Sequence, residues 1–171
     1  MFNKLISKSI PILLILLLAA PLTLVPAQAA APSDAYADAV DPNTGAAVVN
    51  PNQAVGAPDG NTATVAGVVG NDLILDMGAG EEGTGDLVVH YGGLTVGVDT
   101  TVYFLDSAKK VIDSSPLNMT ELGLGIYMTT VAYTSAPTPY RYVRLAAVAD
   151  LYTIDAVEAT TCPTAGKPFM V

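Results

Sequence analysis

The chain has 171 residues, with 16 acidic against 7 basic ones and a formal net charge of −9. This length fits one domain with a packed core, and the acidity argues against nucleic acid and anionic membrane surfaces as partners. The single cysteine, Cys162, excludes an internal disulfide.

The first 29 residues have the pattern of a secretory signal peptide. Lys4 and Lys8 precede an apolar run, Ile10–Val25, and Ala27-Gln28-Ala29 is a small-x-small cleavage signal. An uncleaved membrane anchor is the competing interpretation, but prolines interrupt the run, and a spanning helix needs about 20 apolar residues. We therefore predict a cleavable N-terminal signal helix and no membrane span after cleavage. Cleavage removes two basic residues and no acidic ones, which leaves five against sixteen and a net charge of −11.

The rest of the chain alternates short β-rich runs with turns, at a spacing typical of a sandwich or barrel. After a strong turn signal at Asp41–Gly45, Ala46–Val49 is predicted as a brief edge strand. Residues Ser114–Gly125 are polar and predict a loop with a helical turn at Met119–Leu122. The remaining strand predictions are Leu73–Met77, Leu87–Tyr91, Leu94–Val98, Thr100–Leu105, Val111–Ile112, Ile126–Tyr133, Tyr140–Val148 and Tyr152–Ala159. The sequence predicts an all-β domain over residues 30–160, followed by a flexible tail at 161–171.

The loop before the first core strand is rich in oxygen ligands. Pro58, Asp59 and Gly60 favour a tight turn. Oxygen donors of the kind that calcium accepts are dense in this loop: a carboxylate at Asp59, an amide at Asn61 and hydroxyls at Thr62 and Thr64. We predict a structural calcium ion at this loop.

Six segments occur in an order that resembles bacterial secreted members of the galactose-binding-domain-like superfamily, the discoidin-like jelly rolls. The resemblance extends from about Tyr36 to Glu158. It implies an eight-stranded β-sandwich with jelly-roll topology, used mostly as a non-catalytic module on bacterial surfaces and secreted enzymes. The segments are Tyr36–Val40, Ala54–Gly60, Leu73–Gly78, Gly85–Val89, Tyr142–Leu145 and Ile154–Glu158.

The same resemblance implies a set of calcium ligands that joins this loop to the last strand. Asp59 and Glu158 would supply carboxylates, Asn61 and Val157 backbone carbonyls, and Thr64 a further oxygen. Such a clip would close a loop of about 100 residues, where loop-closure entropy favours a link most. The alternative is that Asp59 only forms a turn and Glu158 only solvates the end of a strand.

Other residues that could take part in catalysis or metal binding have simpler interpretations. His90 lies inside an apolar strand pattern, and the sequence indicates no nucleophile or acid that would act with it in catalysis. We therefore expect a histidine packed in the core or on a sheet face. Glu81, Glu82 and Asp86 lie in a glycine-rich loop, which we interpret as flexible and solvated rather than as a second cation site. Cys162 is expected to be unpaired, with an intermolecular disulfide as the alternative. We find no catalytic constellation in the sequence and predict that the chain is not an enzyme.

Two classes of function follow from these patterns. The first is a secreted, non-catalytic, calcium-stabilised module for binding or adhesion at the cell surface or in the extracellular matrix, with a glycan or cell-surface polymer as partner. The second is a self-assembling subunit of a sheath, filament or surface layer. Many sugar-binding members of the superfamily present tryptophan at loop tips, and this chain has none. Six tyrosines lie in or beside predicted strands, where packing in the core or on a sheet face is the expected role: Tyr91, Tyr103, Tyr127, Tyr133, Tyr140 and Tyr142.

Overall fold

The computed structural model describes residues 34–68, 70–92, 97–121 and 123–162. The predicted signal peptide, most of the predicted strand Leu94–Val98 and all but the first residues of the predicted tail lie outside these ranges, so these features remain predictions. Within the described ranges, no helix is long and apolar enough to cross a membrane.

Two antiparallel sheets account for nearly all regular structure in these ranges. Nine strands are present, one more than the resemblance implies. They are β1 (Ala39–Val40), β2 (Ala63–Val65), β3 (Leu73–Asp76), β4 (Leu87–Gly92), β5 (Val98–Leu105), β6 (Val111–Met119), β7 (Ile126–Val131), β8 (Tyr142–Leu145) and β9 (Tyr152–Ala159). One sheet has the order β1-β3-β8-β5-β6 and the other β2-β9-β4-β7. The predicted all-β sandwich is confirmed.

The core lies between the sheets and follows the alternation of the strands. In β4, for example, Leu87, Val89 and Tyr91 are buried while the residues between them are partly exposed, as expected where one face of a strand meets a core. Phe104, Tyr133 and Tyr140 form an aromatic cluster with ring centroids 4.8–4.9 Å apart. Packing was the predicted role of these tyrosines, and it is confirmed for this cluster.

Three local predictions are wrong. The run Ala46–Val49 is not a strand, and only Val49 forms an isolated bridge, to Thr64. The polar stretch predicted as a loop from Ser114 is strand β6 as far as Met119. The acidic loop after β3 is not fully solvated, since Glu81 is only 6% exposed.

Strand β9 organises the second sheet. Its first residues pair with β2, and its later residues pair with β4, for instance Val157 with Val89. The register with β4 shifts between His90 and Tyr91, because His90 lies opposite Ala156 whereas Tyr91 lies opposite Ile154. Asp155 is therefore the extra residue of a β-bulge, a feature that redirects a side chain.

The N-terminal arm, residues 34–40, contacts both sheets. Tyr36 forms a bridge with Glu158 of β9, and the two residues of β1 pair with Leu75 and Asp76 of β3. The arm thereby connects one edge of the sandwich to the last strand.

Candidate functional site

A cleft of about 320 Å³ opens where the Asp59 loop, the end of β4 and the start of β7 meet. Two threonines, four glycines and two apolar residues line it: Gly60, Thr62, Gly92, Gly123, Leu124, Gly125, Ile126 and Thr153. The glycines come from three distant segments, so this cleft could not be found as a motif in the sequence.

Two of the glycines that line this cleft leave little room for a side chain. A Cβ added to Gly92 would lie 2.4 Å from the Thr153 hydroxyl, and one added to Gly123 would lie 2.3 Å from the Tyr127 hydroxyl. In contrast, Gly60 and Gly125 face open space. The backbone therefore lies close to side-chain hydroxyls at Gly92 and Gly123, and it borders open space at Gly60 and Gly125.

The lining has a mixed chemistry without charge. Thr62 and Thr153 carry hydroxyls, three of the four glycines are exposed, and Leu124 and Ile126 are 96% and 37% exposed. None of the described residues that line the cleft is ionisable. Such a surface can hydrogen-bond a neutral polar molecule and cover its apolar faces, the combination found in small-molecule sites.

The predicted calcium loop is anchored beside this cleft by a residue that the sequence prediction did not single out. The backbone N–H groups of Asp59 and Gly60 donate to the two carboxylate oxygens of Asp155, at 3.2 and 3.3 Å. Asp155 is 1% exposed. The signal for this role was an acidic residue inside the otherwise apolar run Ile154–Val157 of β9, and the bulge that directs its side chain could not be predicted.

The first two predicted ligands form a local turn. Asp59 accepts hydrogen bonds from the backbone N–H and the side-chain amide of Asn61, at 2.8 and 2.9 Å. These bonds hold the pKa of Asp59 below its usual value. Thr64, in β2, exchanges both backbone hydrogen bonds with Val49.

The other two predicted ligands lie further along β9. Val157 is buried, and the Glu158 carboxylate lies 3.4 Å from Nε2 of His90. Burial and the Glu158 carboxylate together raise the pKa of Tyr36. Asp155 and Glu158 are separated by about 10 Å along a strand, and among the described residues no hydrogen bond or ion pair joins Asp59 to Glu158. The structure thus brings Asp59 and Asn61 together with Asp155, and Glu158 together with His90 and Tyr36.

The single histidine is largely buried on the sheet, as expected. The His90 side chain is 13% exposed, and its Nε2 lies within hydrogen-bonding distance of the Glu158 carboxylate. Cys162 has no disulfide partner among the described residues, and its Sγ lies 3.9 Å from the Asp34 carbonyl oxygen. Burial is the main cause that raises the pKa of this thiol.

No protein-family model matches the sequence, and no curated protein matches it either. Among solved structures, the chain is similar to the first family 32 carbohydrate-binding module of a family 31 glycoside hydrolase from Clostridium perfringens. The TM-score is 0.50 at 11% identity over 75% of this chain and 98% of that one. A fucose-binding module from Streptococcus pneumoniae gives 0.47 at 16% identity, over 72% and 91%. A His 62 mutant of the lectin-binding domain of lectinolysin, complexed with Lewis b, gives 0.49 at 15% identity, over 75% and 96%.

These similarities concern the fold. Two antiparallel sheets with almost no helix, together with the match to the family 32 module, give this chain the galactose-binding-domain-like, discoidin-like β-sandwich fold. The fold predicted from the ordered sequence segments is confirmed.

Proposed function

We propose that this chain is a secreted, non-catalytic binding module for a glycan or a glycan-bearing surface polymer, and that the cleft between Gly60 and Ile126 is its binding surface. The observation that carries the proposal is the lining of this cleft, which combines hydroxyls, peptide groups and exposed apolar side chains without an ionisable group.

A sugar fits this chemistry. Each sugar ring presents hydroxyls that need hydrogen-bond partners and C–H faces that pack on apolar groups, and the cleft offers both. Thr62 and Thr153 can donate and accept, while Leu124 and Ile126 provide an apolar face in place of the missing tryptophan. A volume of about 320 Å³ lies at the lower end of the range of small-molecule sites.

A glycan array first identifies candidate ligands. NMR titration of the ¹⁵N-labelled protein with these ligands, and with galactose, fucose and the Lewis b oligosaccharide, then tests the binding surface. We expect saturable shifts of the backbone amides of Gly60, Gly92, Gly123 and Gly125, which line the cleft. A protein that binds no glycan on the array and shows no saturable shift would overturn the proposal.

A pair of leucine variants provides a matched control. Leu124→Asp places a charge in the cleft at a side chain that is 96% exposed, so the fold should tolerate it, and we expect about tenfold weaker binding, equivalent to about 1.4 kcal/mol. Leu151→Asp makes the same change at a side chain that is 54% exposed and does not line the cleft. If both variants lost glycan affinity equally, the binding surface would not be this cleft.

Self-assembly is the alternative class of function, and the same samples test it. Light scattering on size-exclusion fractions over a range of protein concentrations measures the oligomeric state. A binding module should remain at one mass at every concentration. A ladder of assemblies without glycan binding would favour the structural subunit instead.

A further inference from the structure

Three carboxylates that the sequence prediction did not combine converge at the N-terminal arm. Asp34 and Asp38 belong to the arm, and Glu81 belongs to the loop after β3. One carboxylate oxygen from each lies within 4.8 Å of those of the other two. Asp34 and Asp38 are exposed to solvent, whereas Glu81 is buried beneath them.

One oxygen of the Glu81 carboxylate lacks a partner that would account for its burial, although the backbone N–H of Asp34 donates a hydrogen bond to the same carboxylate. The residue is 6% exposed, and its Oε2 atom is buried without a hydrogen bond. Leaving a buried charged oxygen unpaired is costly, so native structures nearly always satisfy such a group with protein, water or an ion. Burial first, and the Asp38 carboxylate second, raise the pKa of Glu81, as expected for an acidic group that has no cation beside it.

No basic side chain neutralises this group within the described part of the chain. Among the described residues, Lys109 pairs with Asp41, Arg141 with Asp76 and Arg144 with Asp72, and none of these ion pairs includes a residue of the cluster. Burial, together with the carboxylates of Asp34 and Asp76, also raises the pKa of Asp38. Three mutually repelling carboxylates are therefore held close together without a compensating charge.

The backbone beside the cluster is shaped by a glycine. Gly78 has a φ of +95°, and a Cβ at this position would lie 2.3 Å from Oδ2 of Asp38 and 3.6 Å from the Glu81 side chain. Any other residue would both strain the backbone and displace the Asp38 carboxylate. Gly78 thus keeps the space between the arm and the loop open.

We propose that Asp34, Asp38 and Glu81 bind a divalent cation that prefers oxygen ligands, namely calcium, and that this ion fastens the N-terminal arm to the loop after β3. Three carboxylates with two solvent-exposed members suit calcium, which accepts flexible geometry and completes its coordination with water. The site is separate from the predicted Asp59–Glu158 ligands and does not depend on glycan binding.

Calcium fits this site better than a thiophilic metal. Cys162, the single cysteine, has its Sγ beside the Asp34 carbonyl rather than among the three carboxylates. Burial raises the pKa of this thiol, which opposes formation of the thiolate that a thiophilic metal binds. The assignment therefore predicts weaker binding of zinc than of calcium.

Isothermal titration of the protein expressed from its complete sequence, stripped with EDTA, tests the assignment with calcium, magnesium and zinc chloride in turn. Glu81→Gln and Asp38→Asn should each weaken one calcium site by about tenfold or more, because each removes a ligand charge that sets affinity. Glu82→Gln is the matched control, since it removes the next acidic residue of the same loop, whose carboxylate accepts from the Gly80 N–H.

Two further measurements make the outcome decisive. Asp59→Ala should leave this calcium site intact, which separates it from the predicted Asp59 site. In EDTA, Glu81→Gln should melt at or above the wild-type temperature because it removes a buried unpaired charge. Calcium should then raise the melting temperature of the wild type more than that of the variant. The proposal is overturned if calcium does not bind, if both cluster variants bind it as the wild type does, or if zinc binds more tightly.

Discussion

At the scale of single residues, Asp155 holds the Asp59 loop in place, although it was not among the site residues predicted from the sequence. Its carboxylate receives two backbone N–H groups from the Asp59 loop, and it is placed there by the one-residue bulge in β9. Without this acceptor, both N–H groups at the base of the turn would lose their partners.

We therefore expect Asp155→Ala to destabilise the protein by about 1–3 kcal/mol, because it removes two part-buried hydrogen bonds to a carboxylate. Urea denaturation in the presence of EDTA measures the effect without a contribution from metal. Asp150→Ala, at an exposed position, should stay within about 0.5 kcal/mol of the wild type. If the two variants are equally stable, the Asp155 bonds do not hold the loop.

At the scale of elements, the sequence predicted the strands whose apolar residues alternate and missed those that lack this pattern. Strands β3, β4 and β9 were predicted to within a residue or so, and Tyr152–Ala159 matches β9 at both ends. Only the start of β6, Val111–Ile112, was predicted, because serines and Pro116 obscure the pattern in the rest of the strand. Proline is tolerated there because β6 lies at the edge of its sheet. The cleft was missed because it depends on how distant turns meet.

Asp113 links β6 to the segment after β7. One carboxylate oxygen accepts the Thr134 N–H at 2.6 Å, the Thr134 hydroxyl at 2.9 Å and the Ser135 N–H at 3.0 Å. Burial alone would raise the pKa of Asp113, but these bonds outweigh it and lower the pKa. A lowered pKa in the folded state means that the ionised group stabilises the fold.

This stabilisation should be fully present above the unfolded pKa of aspartate, about 3.9, and should be lost as the pH falls through the lower folded value. We expect Asp113→Asn to be less stable than the wild type at pH 7, and the difference to shrink below about pH 4. Urea denaturation at several pH values measures it. Asp99→Asn, at an exposed position of β5, should show no such convergence, and a constant difference for Asp113→Asn would contradict the prediction.

At the scale of the whole molecule, the predicted calcium clip between the Asp59 loop and the end of β9 remains to be measured. A site saturated at about 100 times its dissociation constant adds about 2.7 kcal/mol, which raises the melting temperature of a domain of this size by several degrees. We expect this increment between EDTA and millimolar calcium in the wild type, and a smaller one in Asp59→Ala and Glu158→Ala.

The calcium increment, rather than the absolute melting temperature, is the readout, because Glu158 also pairs with His90 and its removal destabilises the protein by itself. Asp99→Ala serves as the control and should keep the full increment. Should both variants gain as much from calcium as the wild type, Asp59 forms only a turn and Glu158 only a strand-end ion pair.

The position of β9 also determines when this domain can fold. It is the last strand of the described chain, yet it lies between β2 and β4, and it is the sole strand partner of β2 among the described residues. A nascent chain that ends before Tyr152 would leave edges of β2 and β4 unpaired, which is a state prone to aggregation. The second sheet can therefore close only after β9, the last of the described strands, has been synthesised.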